Sequence, residues 1–132
     1  MKGSPFTALC AQLAHTTTAK IDLHTHTTAS DGDWTPAFLI QQALQRSMKI
    51  LAITDHDTTR GFELASKLPI GEMQLISGVE ITCLFENRET HMLAYFFDVA
   101  NPELQCLLTK VRESRRKRFI ARCELLDRKS VV

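Results

Sequence analysis

The 132-residue chain has no apolar run long enough to span a bilayer as a helix, so a membrane-spanning segment is not expected. Its N-terminus offers one early Lys and a short apolar stretch broken by Gln12, a poor secretory signal. Cysteine is sparse, and Cys10, Cys83, Cys106 and Cys123 show no C-x-x-C spacing. That excludes a disulfide framework and a zinc knuckle. It predicts free, mostly buried thiols in a reducing compartment. There is no internal repeat and no low-complexity segment, and Trp34 is the only tryptophan. A large charge of one sign is also missing, since the formal net charge is +1. The charge is nevertheless uneven. Residues 110–129 hold nine Lys/Arg against three Asp/Glu, a net of +6, which leaves −5 on the remainder. These bounds describe one domain or part of one, expected in the cytoplasm. A flexible leader is expected over residues 1–19, and His15 within it has no assigned role.

What the chain does have is concentrated between Lys20 and Trp34, KIDLHTHTTASDGDW. A short apolar run there ends in His24-Thr25-His26. Histidines at i and i+2 of an extended segment point to one side, so both imidazoles can reach one metal ion. Asp31 follows in a loop rich in Thr, Ser and Gly, from which its carboxylate can fold back to the same pocket. Four of the five histidines fall where one shared site would suit them.

Ile21–His24 reads as the first strand. Thr35-Pro36 opens a helix, with Thr as N-cap and Pro in the first turn, and Leu39, Ile40, Ala43 and Leu44 form its apolar stripe. Lys49–Thr54 is a strand buried on both faces, running straight into Asp55-His56-Asp57. Thr58 and Thr59 cap a second helix through Phe62, Leu64, Ala65 and Leu68, which Gly61 is expected to weaken. Gln74–Val79 is a third strand with Glu80 at its end. Ile81–Phe85 and Thr90–Phe97 then flank Glu86-Asn87-Arg88-Glu89 as a hairpin, with His91 on the face of Leu93, Tyr95 and Phe97. Asn101-Pro102 begins a long helix that carries the basic segment.

Strand–helix–strand–helix–strand argues an α/β fold with parallel strands. Right-handed crossovers would bring the strand ends to one side, delivering His24, His26, His56 and Glu80 to one rim. Imidazole with carboxylate suits Mn, Zn or Fe better than Mg or Ca. Several ligands of each type suggest more than one ion, and Glu80 can bridge two. Paired ions acidify a shared water and hold the attacking and leaving oxygens of a phosphoryl group, so a phosphoester hydrolase is the expected activity.

DLHTHTTASDGDWTP, AITDHDT and SGVEIT, followed by a histidine on the next strand, resemble the polymerase and histidinol phosphatase (PHP) superfamily. The match is strongest over residues 20–98 and general over the domain 20–132. Within the superfamily the motifs are most similar to the stand-alone TrpH/YciV-like phosphoesterases, which dephosphorylate 3′,5′-nucleoside bisphosphates and trim short RNA 5′ to 3′. The resemblance implies a distorted (β/α)7 barrel and a site of up to three ions, often manganese, with zinc, iron and magnesium as alternatives. By position, His24, His26 and Glu80 would hold one ion. Glu80 would bridge to a second held by His91, and Asp31 and His56 would hold a third. Asp55 and Asp57 would orient His56 or a metal-bound water, against a reading in which each only caps the strand end. Members of the family run to roughly twice this length and take a further His and an Asp-x-His pair from the later part. The expected architecture is therefore the N-terminal portion of the barrel, with a site open on one side and little or no turnover alone.

Arg115, Arg116 and Arg118 are candidates for substrate phosphates, against a solvated helix face. Trp34 is expected to pack its loop rather than stack a base. The expected substrate is a nucleotide or short RNA hydrolysed by a metal-activated water, with neither membrane nor double-stranded DNA as partner. Exposed sheet edges of an incomplete barrel favour self-association. The rival readings are a non-catalytic metal-binding fragment, a histidinol-phosphatase-like enzyme and a polymerase-associated PHP exonuclease.

Overall fold

The computed structural model describes residues 5–13, 20–86 and 88–129. Its four strands are β1 (Ile21–Thr25), β2 (Ile50–Ile53), β3 (Gln74–Phe85) and β4 (Arg88–Tyr95), side by side in that order. The first three run parallel, and β3 pairs antiparallel with β4. Helix α1 is Pro5–Leu13, α2 Pro36–Gln45, α3 Arg60–Ala65 and α4 Pro102–Lys129.

β2 is the centre of the core, and all four of its residues are buried. Leu51 and Ile53 pack with Leu39, Ile40 and Ala43 of α2, Ala65 of α3, and Met73. Ile50 and Ala52 face the other way, with Leu9 of α1 and Ile76 of β3. A parallel strand covered on both faces has no polar side to show, which is why KILAIT is continuously apolar. α2 starts as the residues dictate. Thr35 Oγ1 accepts from Phe38 N, and Pro36 occupies the first turn. Asn101 Oδ1 likewise accepts from Glu103 N and Leu104 N to begin α4.

The structure differs from the sequence reading at several points. The segment expected to be a loose leader contains α1, whose Leu9 is only 4% exposed; His15 lies outside the described residues. Gln74–Val79 and Ile81–Phe85 are one twelve-residue strand, pairing with β2 in its first half and β4 in its second. α3 ends at Ala65 rather than continuing to Leu68. The cysteines are free, yet Cys10, Cys106 and Cys123 are exposed and only Cys83 is half-buried.

The sheet curls. In a flat sheet β1 and β4 would lie about 14 Å apart, three strand spacings. Here Tyr95 Oη of β4 donates to Leu23 O of β1 at 2.7 Å. An α/β sheet curled this way is part of a barrel wall. No helix among the described residues is long and apolar enough to cross a membrane.

Candidate metal centre

Backbone pairing carries the site past the ends of the strands. Thr54 N donates to Thr25 O at 2.8 Å, extending the β1–β2 pairing. A parallel bridge sets His56 beside Glu80, with Asp57 N donating to Glu80 O at 2.9 Å and Glu80 N to Asp55 O at 3.3 Å. The ends of β1 and β2 and the middle of β3 therefore present His24 and His26, His56, and Glu80 side by side. Antiparallel β4 adds His91, opposite Thr82 and two residues beyond Glu80 in register.

The Glu80 carboxylate is the hub, with its side chain 8% exposed. Its Oε2 lies 2.9 Å from His24 Nε2, 3.1 Å from His26 Nε2 and 3.8 Å from His56 Nε2. Its Oε1 lies 2.9 Å from His91 Nδ1. Asp31 approaches from the loop, 3.2 Å from His26 Nδ1 and 3.5 Å from His56 Nε2. The six residues fall into three overlapping donor triads, His24/His26/Glu80, His26/Asp31/His56 and His56/Glu80/His91, each within 4.8 Å. The structure thus brings together every ligand candidate read from the sequence.

Electrostatics favour free lone pairs. Burial, outweighing the neighbouring carboxylates, lowers the His56 pKa, so the ring is neutral at pH 7. Burial works to raise the Glu80 pKa, but the hydrogen bond from His24 and the charges of the neighbouring imidazoles bring it below the usual value. Asp31 is lowered in the same way, burial being outweighed by His56 and His26. Burial first, and then the Glu80 charge, raises Tyr95. His26 Nδ1 and His56 Nδ1 are buried without a hydrogen-bond partner among the described residues. The 3.2 Å approach of Asp31 to His26 Nδ1 lacks hydrogen-bond geometry. Imidazole nitrogens and carboxylate oxygens gathered within 4.8 Å of one another are the donor set a divalent cation needs.

Asp55 and Asp57 make their hydrogen bonds to the neighbouring backbone and side chains, and His56 Nδ1 has no hydrogen-bond partner among the described residues. Asp55, 1% exposed, accepts from Thr27 N at 2.7 Å, Thr27 Oγ1 at 2.8 Å and Ser30 Oγ at 2.7 Å, and so fixes the loop between His26 and Asp31. Asp57 is fully buried and accepts from Thr82 N at 2.7 Å, Thr82 Oγ1 at 2.9 Å and Arg115 Nη1 at 2.8 Å. It thereby holds β3 just beyond Glu80 and ties α4 to the site. Arg112 adds a second tie by donating to Asp57 O. Asp57 has φ 54, in the left-handed region that Asp tolerates better than most residues.

Thr27, Thr82 and Gly61 were missed in the sequence. Gly61 is no helix weakener here. A Cβ on it would lie 1.8 Å from Asp55 Oδ2 and 2.7 Å from Thr27 Oγ1, so only glycine fits against that carboxylate. Of the candidate substrate arginines, Arg115 is engaged by Asp57, and Arg118 Nη2 lies 3.3 Å from Glu89 Oε2. Arg116 lines a cleft with them. Trp34 packs edge-on against Phe38 at 5.1 Å, with the Arg46 guanidinium 5.9 Å over its ring.

Comparison with known proteins agrees with this geometry. The PHP domain family model matches residues 22–122. The 5′-3′ exoribonuclease Rnm of Salmonella typhimurium is 40% identical over 123 residues, covering 89% of this chain and 42% of that protein. The 3′,5′-nucleoside bisphosphate phosphatase of Chromobacterium violaceum is 37% identical over 101 residues, covering 76% and 35%. A solved Bifidobacterium adolescentis protein assigned as a metal-dependent phosphoesterase superposes with a TM-score of 0.72 at 34% identity, covering 83% of this chain and 39% of that one. The chain thus spans about two-fifths of the length of these relatives. With the matched family model reaching across the donor triads, the chain belongs to the PHP domain family.

Proposed function

We propose that the chain carries the metal-binding face of a cytoplasmic phosphoesterase that hydrolyses 3′,5′-nucleoside bisphosphates or short RNA. The observation that carries this reading is the Glu80 carboxylate within 3.8 Å of four imidazoles. His24, His26 and Glu80 would hold one divalent ion, Glu80 with His91 a second, and Asp31 with His56 a third. Manganese is the proposed metal. Such ions, when bound, offer positive charge to phosphate oxygens and acidify water. The chain's own residues prepare for that. His56 is held neutral, Glu80 and Asp31 are held ionised, and Asp55 and Asp57 fix the backbone on either side. Arg115, Arg116 and Arg118 would receive substrate phosphates at the edge of the site. Both substrate classes follow from the relatives, one an exoribonuclease and one a bisphosphate phosphatase.

Side chains of His24 and Asp31 are 51% and 64% exposed, so the site is open to water and turnover is expected to be slow. The test combines elemental analysis with phosphate release from a 3′,5′-nucleoside bisphosphate in added manganese. His24→Ala/His26→Ala should lower the metal content and abolish the release. Equal metal stoichiometry in wild type and variant would overturn the ligand assignment.

A further inference from the structure

Helix α4 carries a second feature, beside the candidate metal ligands. Arg115, Arg118, Phe119 and Arg122 recur at helical spacing and form one stripe. With Arg116 of the same helix and Glu89 of β4 they line a cleft of about 320 Å³. Four guanidinium groups meet one carboxylate there, and that carboxylate already pairs with Arg118. Phe119 sits among them, 67% exposed.

The cleft joins the metal centre at two points. Glu89 Oε1 lies 3.8 Å from His91 Nε2. Arg115 lines this cleft and also a second one, of about 270 Å³, shared with Ser30, Asp31, His56 and Arg112. A strand with one phosphate at the ligands therefore has a continuous basic path onto α4. An exposed aromatic among arginines is the arrangement that binds an unpaired base, by stacking, and its flanking phosphates, by charge. The volume is at the lower end of small-ligand sites, about 300–1,000 Å³, which suits one nucleotide and not a duplex.

We propose that this cleft is a binding site for a single-stranded RNA nucleotide next to the one at the metal centre, with Phe119 stacking its base and Arg116, Arg118 and Arg122 meeting its phosphates. The proposal deepens the phosphoesterase reading, but its test does not depend on turnover.

The probe is a fluorescein-labelled, 5′-phosphorylated oligoribonucleotide of about six nucleotides, within the usual single-strand site size. Anisotropy is read with the full 132-residue chain and no added metal. Phe119→Leu should weaken binding roughly tenfold, within the range of base–aromatic stacking, while Phe119→Tyr binds like wild type. Arg116→Gln/Arg122→Gln should flatten the slope of log affinity against log salt by about 0.7 for each lost phosphate contact. This readout uses neither metal nor turnover, so absence of phosphate release by the wild-type chain would count against the catalytic reading alone. Unchanged affinity in Phe119→Leu would overturn the inference. So would an acidic peptide or inorganic tripolyphosphate that competes as well as RNA, because the cleft would then be reading charge only.

Discussion

Replacing Gly61 by alanine tests how the loop bearing Asp31 is held. Gly61 lies in the first turn of α3, and its φ is outside the left-handed region. Helix propensity alone therefore predicts that Gly61→Ala gains up to about 1 kcal/mol. The structure predicts the opposite sign. The added Cβ would stand 1.8 Å from Asp55 Oδ2, a distance no side chain tolerates, so something must move. If the Asp55 carboxylate swings aside, it leaves Thr27 N and Thr27 Oγ1, both buried donors. Each hydrogen bond to a charged group is worth about 1.5–3 kcal/mol, so losing two costs about 3–6 kcal/mol. If α3 moves instead, the overpacking cost is about 1–3 kcal/mol. After the helical gain, a net loss of up to about 5 kcal/mol is expected.

The assay is urea unfolding of wild type, Gly61→Ala, Asp55→Ala and the double variant. Asp55→Ala removes the carboxylate that the new methyl meets. The penalty of Gly61→Ala should therefore shrink strongly in that background, giving a coupling of at least about 1 kcal/mol. Some penalty should persist, because Thr27 Oγ1 would still lie 2.7 Å away. Gly61→Ala with wild-type or higher stability would refute the reasoning. Additive single effects would show that the harm does not act through Asp55.

Two further predictions concern the ligands. Glu80→Gln should weaken manganese binding more than Asp57→Asn, because Glu80 touches four imidazoles whereas loss of a residue supporting the ligands typically costs about 10–100-fold in affinity. Isothermal titration of both variants decides it, and a larger loss in Asp57→Asn would reverse the roles. The second is a pH dependence of the metal-free protein. The folded-state pKa of His56 lies below 6.5, so unfolding takes up a proton and its contribution to stability, present above about pH 6.5, falls away as the pH drops through the folded value. Lowered Glu80 and Asp31 act with the same sign, their contributions being lost only below 4.5 and 3.8 respectively. Urea midpoints should fall between about pH 7.5 and pH 5.5, and His56→Gln should reduce that slope. An unchanged slope in His56→Gln would refute the assignment.

Much of this was legible in residue order because alternation and strand ends are local facts. The i, i+2 spacing of His24 and His26 put both rings on Glu80, and a continuously apolar KILAIT announced a strand covered on two faces. What was illegible depends on distant partners. Nothing around Thr27 or Thr82 marks either as the partner of a buried aspartate, since the pairs lie 28 and 25 residues apart. Gly61 read as a defect because propensity sees the helix and not the carboxylate packed on it. The single strand β3 was divided at Glu80 because a charged residue in an apolar run reads as an end. Here the charge is kept inside by the imidazoles that surround it. α1 went unread because a nine-residue segment interrupted by Gln12 carries too little periodic signal.

Neither carboxylate of Asp55-His56-Asp57 hydrogen-bonds the His56 ring: Asp55 reaches Thr27 and Ser30, and Asp57, with φ 54, reaches Thr82 and Arg115. They are well placed to grip what lies on either hand. A metal ligand must keep its lone pair free and so cannot anchor its own position strongly. In this chain the anchoring falls to neighbours. Asp55 takes the backbone N–H one residue after His26, and Asp57 takes the backbone N–H two residues after Glu80. Each carboxylate also accepts from the matching threonine hydroxyl and from one further side chain, Ser30 or Arg115. Three donors offset the cost of burying each carboxylate. Asparagine could accept at one oxygen only, and its amide would face a donor. The Asp-His-Asp run thus sets His56 between two grips, one on the loop after β1 and one on β3, while His56 Nδ1 keeps no hydrogen-bond partner among the described residues.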